Sequence, residues 1–300
     1  MTRAGGSGVR PYLALAVGML AVSSSAILIS FARREGVPAI AIAALRMAFS
    51  AAGLLPFVLT RGRAELFRLP ARDLALAAVS GALLALHFAF WISSLDYTSV
   101  MSSVVLVSAN PLFVALASVL VLREPLGRWT ELGIAVAILG GALVGLSDFG
   151  QAGGSSLKGD VLALLGAAAA SGYLLIGRRL RQRMSLLPYV GVAYSTAAVV
   201  LLVMAAASGT PLHGYSLAGY ALVGLLAAGP QLIGHTSYNW ALKHVSAVFV
   251  TVTLLAEPIG ATLLAIPLLA EVPSPVRLVG GVVILAGIWL AARGEKGKTF

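Results

Sequence analysis

The chain is written in long apolar stretches punctuated by short clusters of charge, glycine and proline. Stretches of at least about 17 apolar residues, long enough to cross a bilayer as helix, occur ten times. They run at about 11–31, 38–60, 72–93, 98–121, 129–147, 159–177, 185–207, 216–240, 245–269 and 274–292. The pattern predicts an all-α integral membrane protein with ten transmembrane helices. The longest breaks, near 61–71 and 148–158, are ordinary loops, so no extramembrane domain has room to fold.

Composition agrees, with 59% hydrophobic and 11% charged residues and a mean hydropathy of +0.95. A soluble domain carries about 25% charge. The first stretch follows Arg3 and Arg10 as a secretory signal would, but its length exceeds a signal core and predicts a retained helix. The net charge of +10 is explained by its distribution. Counting Lys and Arg along alternate loops gives 16 on the side of the N-terminus and four on the other. The positive-inside rule then places both termini in the cytoplasm. No nucleic-acid partner is needed, and the absence of cysteine removes thiolate chemistry.

The chain also repeats itself. Leu95, Ser99, Pro111, Glu124 and Gly140 are met 147 positions later by Leu242, Ser246, Pro258, Glu271 and Gly287, while Tyr97 and Asn110 are met by His244 and Glu257. That spacing divides ten helices into five and five, with repeats at 1–150 and 151–300. Because five is odd, the halves enter the membrane from opposite sides. Inverted repeats of this kind build many secondary transporters around a site near the bilayer midplane; an inert duplicated scaffold is the alternative.

Two charged residues fall deep inside predicted spans, Arg46 and Glu257. At 1.5 Å per residue Arg46 lies roughly 12 Å from one face and Glu257 roughly 18 Å from the other, so their depths are similar. Each needs a partner, a wet cavity or a neutral state. Either they pair structurally, or one meets a charged ligand group or a proton. Polar and aromatic residues recur at helical spacing on equivalent helices: His87, Phe90, Trp91 and Ser94 on the third, and Gln231, His235 and Asn239, with Tyr238 beside them, on the eighth. They line a cavity or bond between helices. Asn110-Pro111 and Glu257-Pro258 sit in mid-helix, where proline removes a hydrogen bond and frees carbonyls near Val107 and Leu254. Pro111 and Pro258 are therefore candidate hinges, or static kinks.

Gly133, Ala137, Gly141 and Gly145 on the fifth helix, with Gly280 and Gly287 on the tenth, permit close helix contact within the fold or across a dimer. Enzyme signatures such as HExxH, GxSxG or paired intramembrane aspartates are missing, and the four histidines have no metal-ligand spacing. No metal, cofactor or catalytic residue is expected.

Asn110-Pro111, Arg123-Glu124-Pro125, Gly133 and Gly140-Gly141 resemble the EamA repeat of the drug/metabolite transporter superfamily, and Glu257-Pro258, Glu271 and Gly280 to Gly287 resemble it more closely. Over the whole chain the similarity is greatest to bacterial YddG-type aromatic amino acid exporters. The resemblance implies a ten-helix basket in which helices 1–4 and 6–9 enclose a cavity and helices 5 and 10 stand outside. It implies alternating-access export of aromatic and other hydrophobic amino acids, or related metabolites, across the bacterial inner membrane, by a monomer or homodimer, coupled to protons or simply downhill. The candidate substrate-binding set is Arg46, His87, Trp91, Asn110, Gln231, His235, Tyr238, Asn239 and Glu257. Hydrophobic cations or drugs are the alternative cargo. Asn110 stands where the second repeat has Glu257, so a role based on charge is not shared by the halves.

Overall fold

A computed structural model describes residues 9–98, 100–120, 125–146, 157–257, 259–260, 263–264 and 275–296. Pro258, Glu124 and Glu271 lie outside the described residues. Every regular element among the described residues is helical. In order they are α1 (Arg10–Ser23), α2 (Ser25–Arg34), α3 (Ala39–Phe57), α4 (Arg63–Leu66), α5 (Ala71–Ser94), α6 (Val100–Val107), α7 (Asn110–Leu120), α8 (Arg128–Leu146), α9 (Leu157–Arg181), α10 (Leu186–Ala207), α11 (Leu217–Leu226), α12 (Thr236–Ala241), α13 (Ala247–Leu254) and α14 (Pro275–Lys296). Among the described residues six stretches are long and apolar enough to cross a membrane: Arg10–Arg34, Ala39–Leu66, Ala71–Ser94, Leu157–Arg181, Leu186–Ala207 and Leu217–Ala241. The protein is a multi-pass membrane protein.

Starts and stops follow local chemistry. Pro38 and Pro70 precede α3 and α5 in extended backbone. Ser216 and Ser246 cap α11 and α13 by accepting from the N–H groups of Gly219 and Phe249 at 2.9 and 3.1 Å. Where proline falls inside a crossing, the helix widens to absorb the missing donor. Pro56 precedes a π-helical stretch at Val58–Gly62, and Pro230 lies within one at Ala227–His235.

Three crossings are interrupted. The first stretch, expected as one helix, is two that meet at Ser24. The fourth breaks at Ser108–Ala109, because Pro111 has no N–H to give Val107, and α13 stops at Leu254. Both of the latter breaks fall where proline spacing places them.

The helices pack in a crossed arrangement. The α1–α2 crossing lies against α11, the π-helical stretch and α12; α9 lies against α5; α3 pairs with α10, α7 with α13 and α8 with α14. Small residues permit the closest of these approaches. A Cβ at Gly81 would sit 2.3 Å from the Ala193 carbonyl of α10. Between α8 and α14, a Cβ at Gly133, Gly140 or Gly287 would come within 2.7 Å of the facing backbone. The glycine stripe thus works within the fold, and its register is Gly133, Ala137, Gly140; Gly141 faces open space. Among the largest fully buried side chains are Arg46, Phe88 and the tyrosines 173, 189, 194 and 238.

Candidate functional site

The interruptions converge. A cavity of about 50 Å³ is bounded by Val22 and Ser25 at the first break, by Ser108 and Asn110 at the second, by Leu254 and Glu257 at the third, and by His235 at the end of the π-helical stretch. Irregular backbone at membrane depth is tolerated where it is buried in protein or lines such a space. Two serines tie the breaks together. Ser23 Oγ donates to the Met19 carbonyl of its own helix at 2.8 Å and lies 3.2 Å from the Glu257 carbonyl, and Ser171 Oγ of α9 donates to the Ala167 carbonyl at 2.8 Å and lies 3.3 Å from the Asn110 carbonyl. Asn110 and Glu257 are the residues 147 positions apart, so the carbonyl of each lies beside a serine of the other half.

The structure gathers six of the sequence-predicted residues on this cavity: His87, Trp91, Asn110, His235, Tyr238 and Glu257. His87 and Trp91 stack at 5.8 Å with an interplanar angle of 9°. His87 Nδ1 lies 3.0 Å from the Gly166 carbonyl, which fixes it as the donor nitrogen and turns Nε2 away from that bond. His235 sits in an aromatic enclosure, with Phe88 at 5.3 Å and Tyr238 at 6.0 Å. Phe90, expected on this face, is not on the cavity wall, and Phe88 packs behind it against His87 and His235.

Four wall residues carry buried polar atoms without a protein partner: Ser25 Oγ, Trp91 Nε1, Asn110 Oδ1 and Tyr238 OH. Three of these groups donate and one accepts. Beside them Glu257 is the sole charged side chain on the wall among the described residues.

Arg46, Gln231 and Asn239 stand behind that wall. Arg46 Nε donates to Gln231 Oε1 at 3.2 Å, its guanidinium lies 4.2 Å from the Phe88 ring centre, and its two Nη atoms are unpartnered. Among the described residues the ion pairs are Arg33–Asp96 and Arg183–Asp73, so Arg46 and Glu257 are not paired in this state. Asn239 Nδ2 donates to the hydroxyls of Tyr173 and Tyr194 at 2.5 and 3.2 Å. A regular helix would align Gln231, His235 and Asn239 on one stripe. The π-helical stretch breaks that register, sending Gln231 toward α3 and Asn239 toward α9 and α10.

This arrangement has relatives. The family model described as EamA-like transporter family matches residues 9–146 and again 157–293. The chain belongs to the EamA-like transporter family. A probable terminal-alkyne amino-acid exporter of Streptantibioticus cattleyicolor is 30% identical over 64% of this chain and 64% of its own length. The uncharacterized transporter YdfC of Bacillus subtilis is 27% identical over 61% of this chain and 59% of its own. In both, the match takes in less than two thirds of the relative. An uncharacterized transporter of Clostridium kluyveri is 24% identical over 78% of this chain. A solved crystal structure covering 97% of this chain at 21% identity superposes with a TM-score of 0.77, which shows a shared fold. The EamA-like family and these relatives are transporters, not enzymes.

Sequence reasoning on this EamA-like chain missed Ser25, Ser108 and Tyr173, all of which line the cavity. The signals were present: a run Ser23-Ser24-Ser25 inside an apolar crossing, and Tyr173 beside Ser171 in a segment otherwise built from alanine, glycine and leucine.

Proposed function

We propose that this protein exports amino acids, aromatic and other hydrophobic ones or related metabolites, by alternating access through the cavity at the helix interruptions. The observation that carries the reading is the set of unpartnered polar atoms on an aromatic wall deep in the membrane. Burying such atoms costs free energy unless a ligand or water meets them. Asn110 Oδ1 and Glu257 suit an ammonium group; the N–H and O–H donors of Trp91, Ser25 and Tyr238 suit a carboxylate; the rings of His87, Trp91, His235 and Tyr173 suit an apolar side chain. The cavity holds roughly four waters at about 50 Å³, so a substrate needs it widened. Widening at the Phe88–His235 wall gives a carboxylate access to Arg46 and Gln231. Asn239 supports that wall, and Pro111 and Pro258 serve as hinges.

Ten crossings in two inverted repeats, 1–150 and 151–300, supply the frame. Support comes from the crossed packing, in which α1–α2 against α11–α12 is the counterpart of α9 against α5, and from the exchanged serines at Asn110 and Glu257. The excess of arginine and lysine on one side supports a bacterial inner membrane location with both termini in the cytoplasm. The relative described as an amino-acid exporter supports the cargo.

A second reading, export of hydrophobic cations, is favoured by one observation: the wall carries Glu257 while Arg46 lies behind it. Uptake of radiolabelled Phe, Trp, Met and Thr into proteoliposomes, against a lipophilic cation and with or without a pH gradient, separates the two. Saturable amino acid flux supports the first, its response to the gradient decides proton coupling, and cation flux alone establishes the second.

A further inference from the structure

The six-residue helix α12 is bounded by irregular backbone on both sides, the π-helical stretch before it and the turn at Leu242–Val245 after it. Its residues face three ways. Tyr238 lines the cavity, Trp240 packs on His244 in the turn at 4.4 Å between ring centres, and Asn239 is fully buried between them. Asn239 is bonded at both of its ends. Its side-chain amide donates to the hydroxyl of Tyr173, a cavity wall residue, at 2.5 Å. Its backbone carbonyl accepts from Arg181 Nε at 3.0 Å.

Arg181 also bonds the Met184 carbonyl, where α9 turns into α10. One turn back, Arg178 Nη1 donates to the Leu242 carbonyl at 2.7 Å, and Gln182 Nε2 reaches the same carbonyl at 3.3 Å. These bonds fasten the C-terminal end of α9 to α12 and the turn after it, a closure about two turns along α9 from Tyr173 of the cavity wall. We propose that Asn239 is a positioning residue that couples the cavity wall to this closure. A change at Tyr173 displaces the Asn239 amide, α12 follows as a short rigid piece, and the carbonyls held by Arg181, Arg178 and Gln182 shift together. Tyr173 and Arg181 stand on the same helix, α9, so Asn239 joins α12 to α9 at two levels, at the cavity wall through Tyr173 and at the end of the helix through Arg181.

The chain contains no cysteine, so one introduced thiol is the sole reactive one. Met184 is 1% exposed, and alkylation of Met184→Cys therefore reports opening of this end. The experiment is a double-mutant cycle on the purified full chain, with Tyr173→Phe and Asn239→Ala alone and together in the Met184→Cys background. Tyr173→Phe is expected to change the alkylation rate at least about threefold when Asn239 is present and less than about 1.5-fold when it is replaced. A purely structural Asn239 would raise the basal rate and leave the Tyr173→Phe increment unchanged in both backgrounds, which overturns the proposal, as does no Tyr173→Phe effect at all. Should Asn239→Ala not fold, the nearly isosteric Asn239→Leu gives the same cycle. A further arm rests on the amino-acid reading: saturating phenylalanine shifts alkylation with Asn239 and not without it. A positive cycle with no phenylalanine response supports the coupling and counts against amino acids as cargo.

Discussion

The two ends of the cavity are fastened by different chemistry. At one end Arg33 pairs with Asp96, both side chains 33% exposed, Thr98 bonds Asp160 at 2.9 Å, and Ser216 bonds Glu35 at 2.5 Å. These are contacts between side chains at the water boundary, where an ion pair contributes about 0–1 kcal/mol and is screened by salt. At the other end the side-chain contacts Arg183–Asp73 and Ser185–Glu65 are joined by a second set, in which Arg178, Arg181 and Gln182 donate to backbone carbonyls of α12 and the turns around it. A charged donor on a carbonyl contributes about 1.5–3 kcal/mol, and its loss leaves buried groups unpaired. Side-chain pairs can part and be rehydrated one at a time, whereas the carbonyl fastening has to give way as a unit. On the alternating-access reading and orientation proposed above, the Asp96 end faces outward and is the one expected to open at lower cost.

Substitutions sharpen or break that contrast. Arg181→Ala is expected to have the largest effect, a stability loss of about 2–4 kcal/mol from two carbonyls left without a charged donor, read as a lowered denaturation midpoint in detergent. Asp73→Asn comes next, since buried Asp73 holds Arg183 at 2.6 Å. Because Arg183 is 46% exposed, its loss costs about 1–2 kcal/mol, less than a fully buried pair. Asp96→Asn should cost under about 1 kcal/mol, and the difference should vanish in high salt. A cost equal to that of Arg181→Ala would mean the two ends are not distinct.

The smallest effect is one of pH. Burial, then the charges of Lys243, Arg181 and Arg178, hold the His244 pKa below its ordinary 6.5. The neutral ring is thus favoured in the fold, so its contribution is complete above pH 6.5 and is lost as pH falls through the depressed value. Acidification should loosen the Arg181 end slightly, seen as faster Met184→Cys alkylation relative to the same thiol in the unfolded chain at each pH, and His244→Gln should remove that difference.

Much of the frame was legible because its signals are local. Apolar length marked six of the crossings, Pro111 marked the break after Val107, and small residues marked the α8–α14 contact, though the register runs through Gly140 and not Gly141. The polar residues of the candidate site were also visible, since His87, Asn110, His235 and Glu257 are costly in lipid wherever they point. Direction was not visible. Gln231 and Asn239 turn from the cavity because Pro230 widens the helix through Ala227–His235, and a pattern read at 3.6 residues per turn has no means of anticipating that change of period. Arg46 was conspicuous by its charge, yet the ring that covers it, Phe88, looks like any core aromatic in sequence. Ser25 and Tyr173 were missed because a serine or tyrosine within an apolar run carries little signal until its neighbours across the bundle are known.

The central claim is that the cavity holds an amino acid by both of its charged ends. Competition against labelled phenylalanine uptake in proteoliposomes tests it most directly, with phenethylamine, which lacks the carboxylate, and phenylpropionate, which lacks the ammonium. The account predicts that unlabelled phenylalanine competes at least about tenfold better than either analogue, a difference of about 1.4 kcal/mol for each lost end. Equal or better competition by phenethylamine would contradict it and assign the cavity to hydrophobic cations held by Glu257.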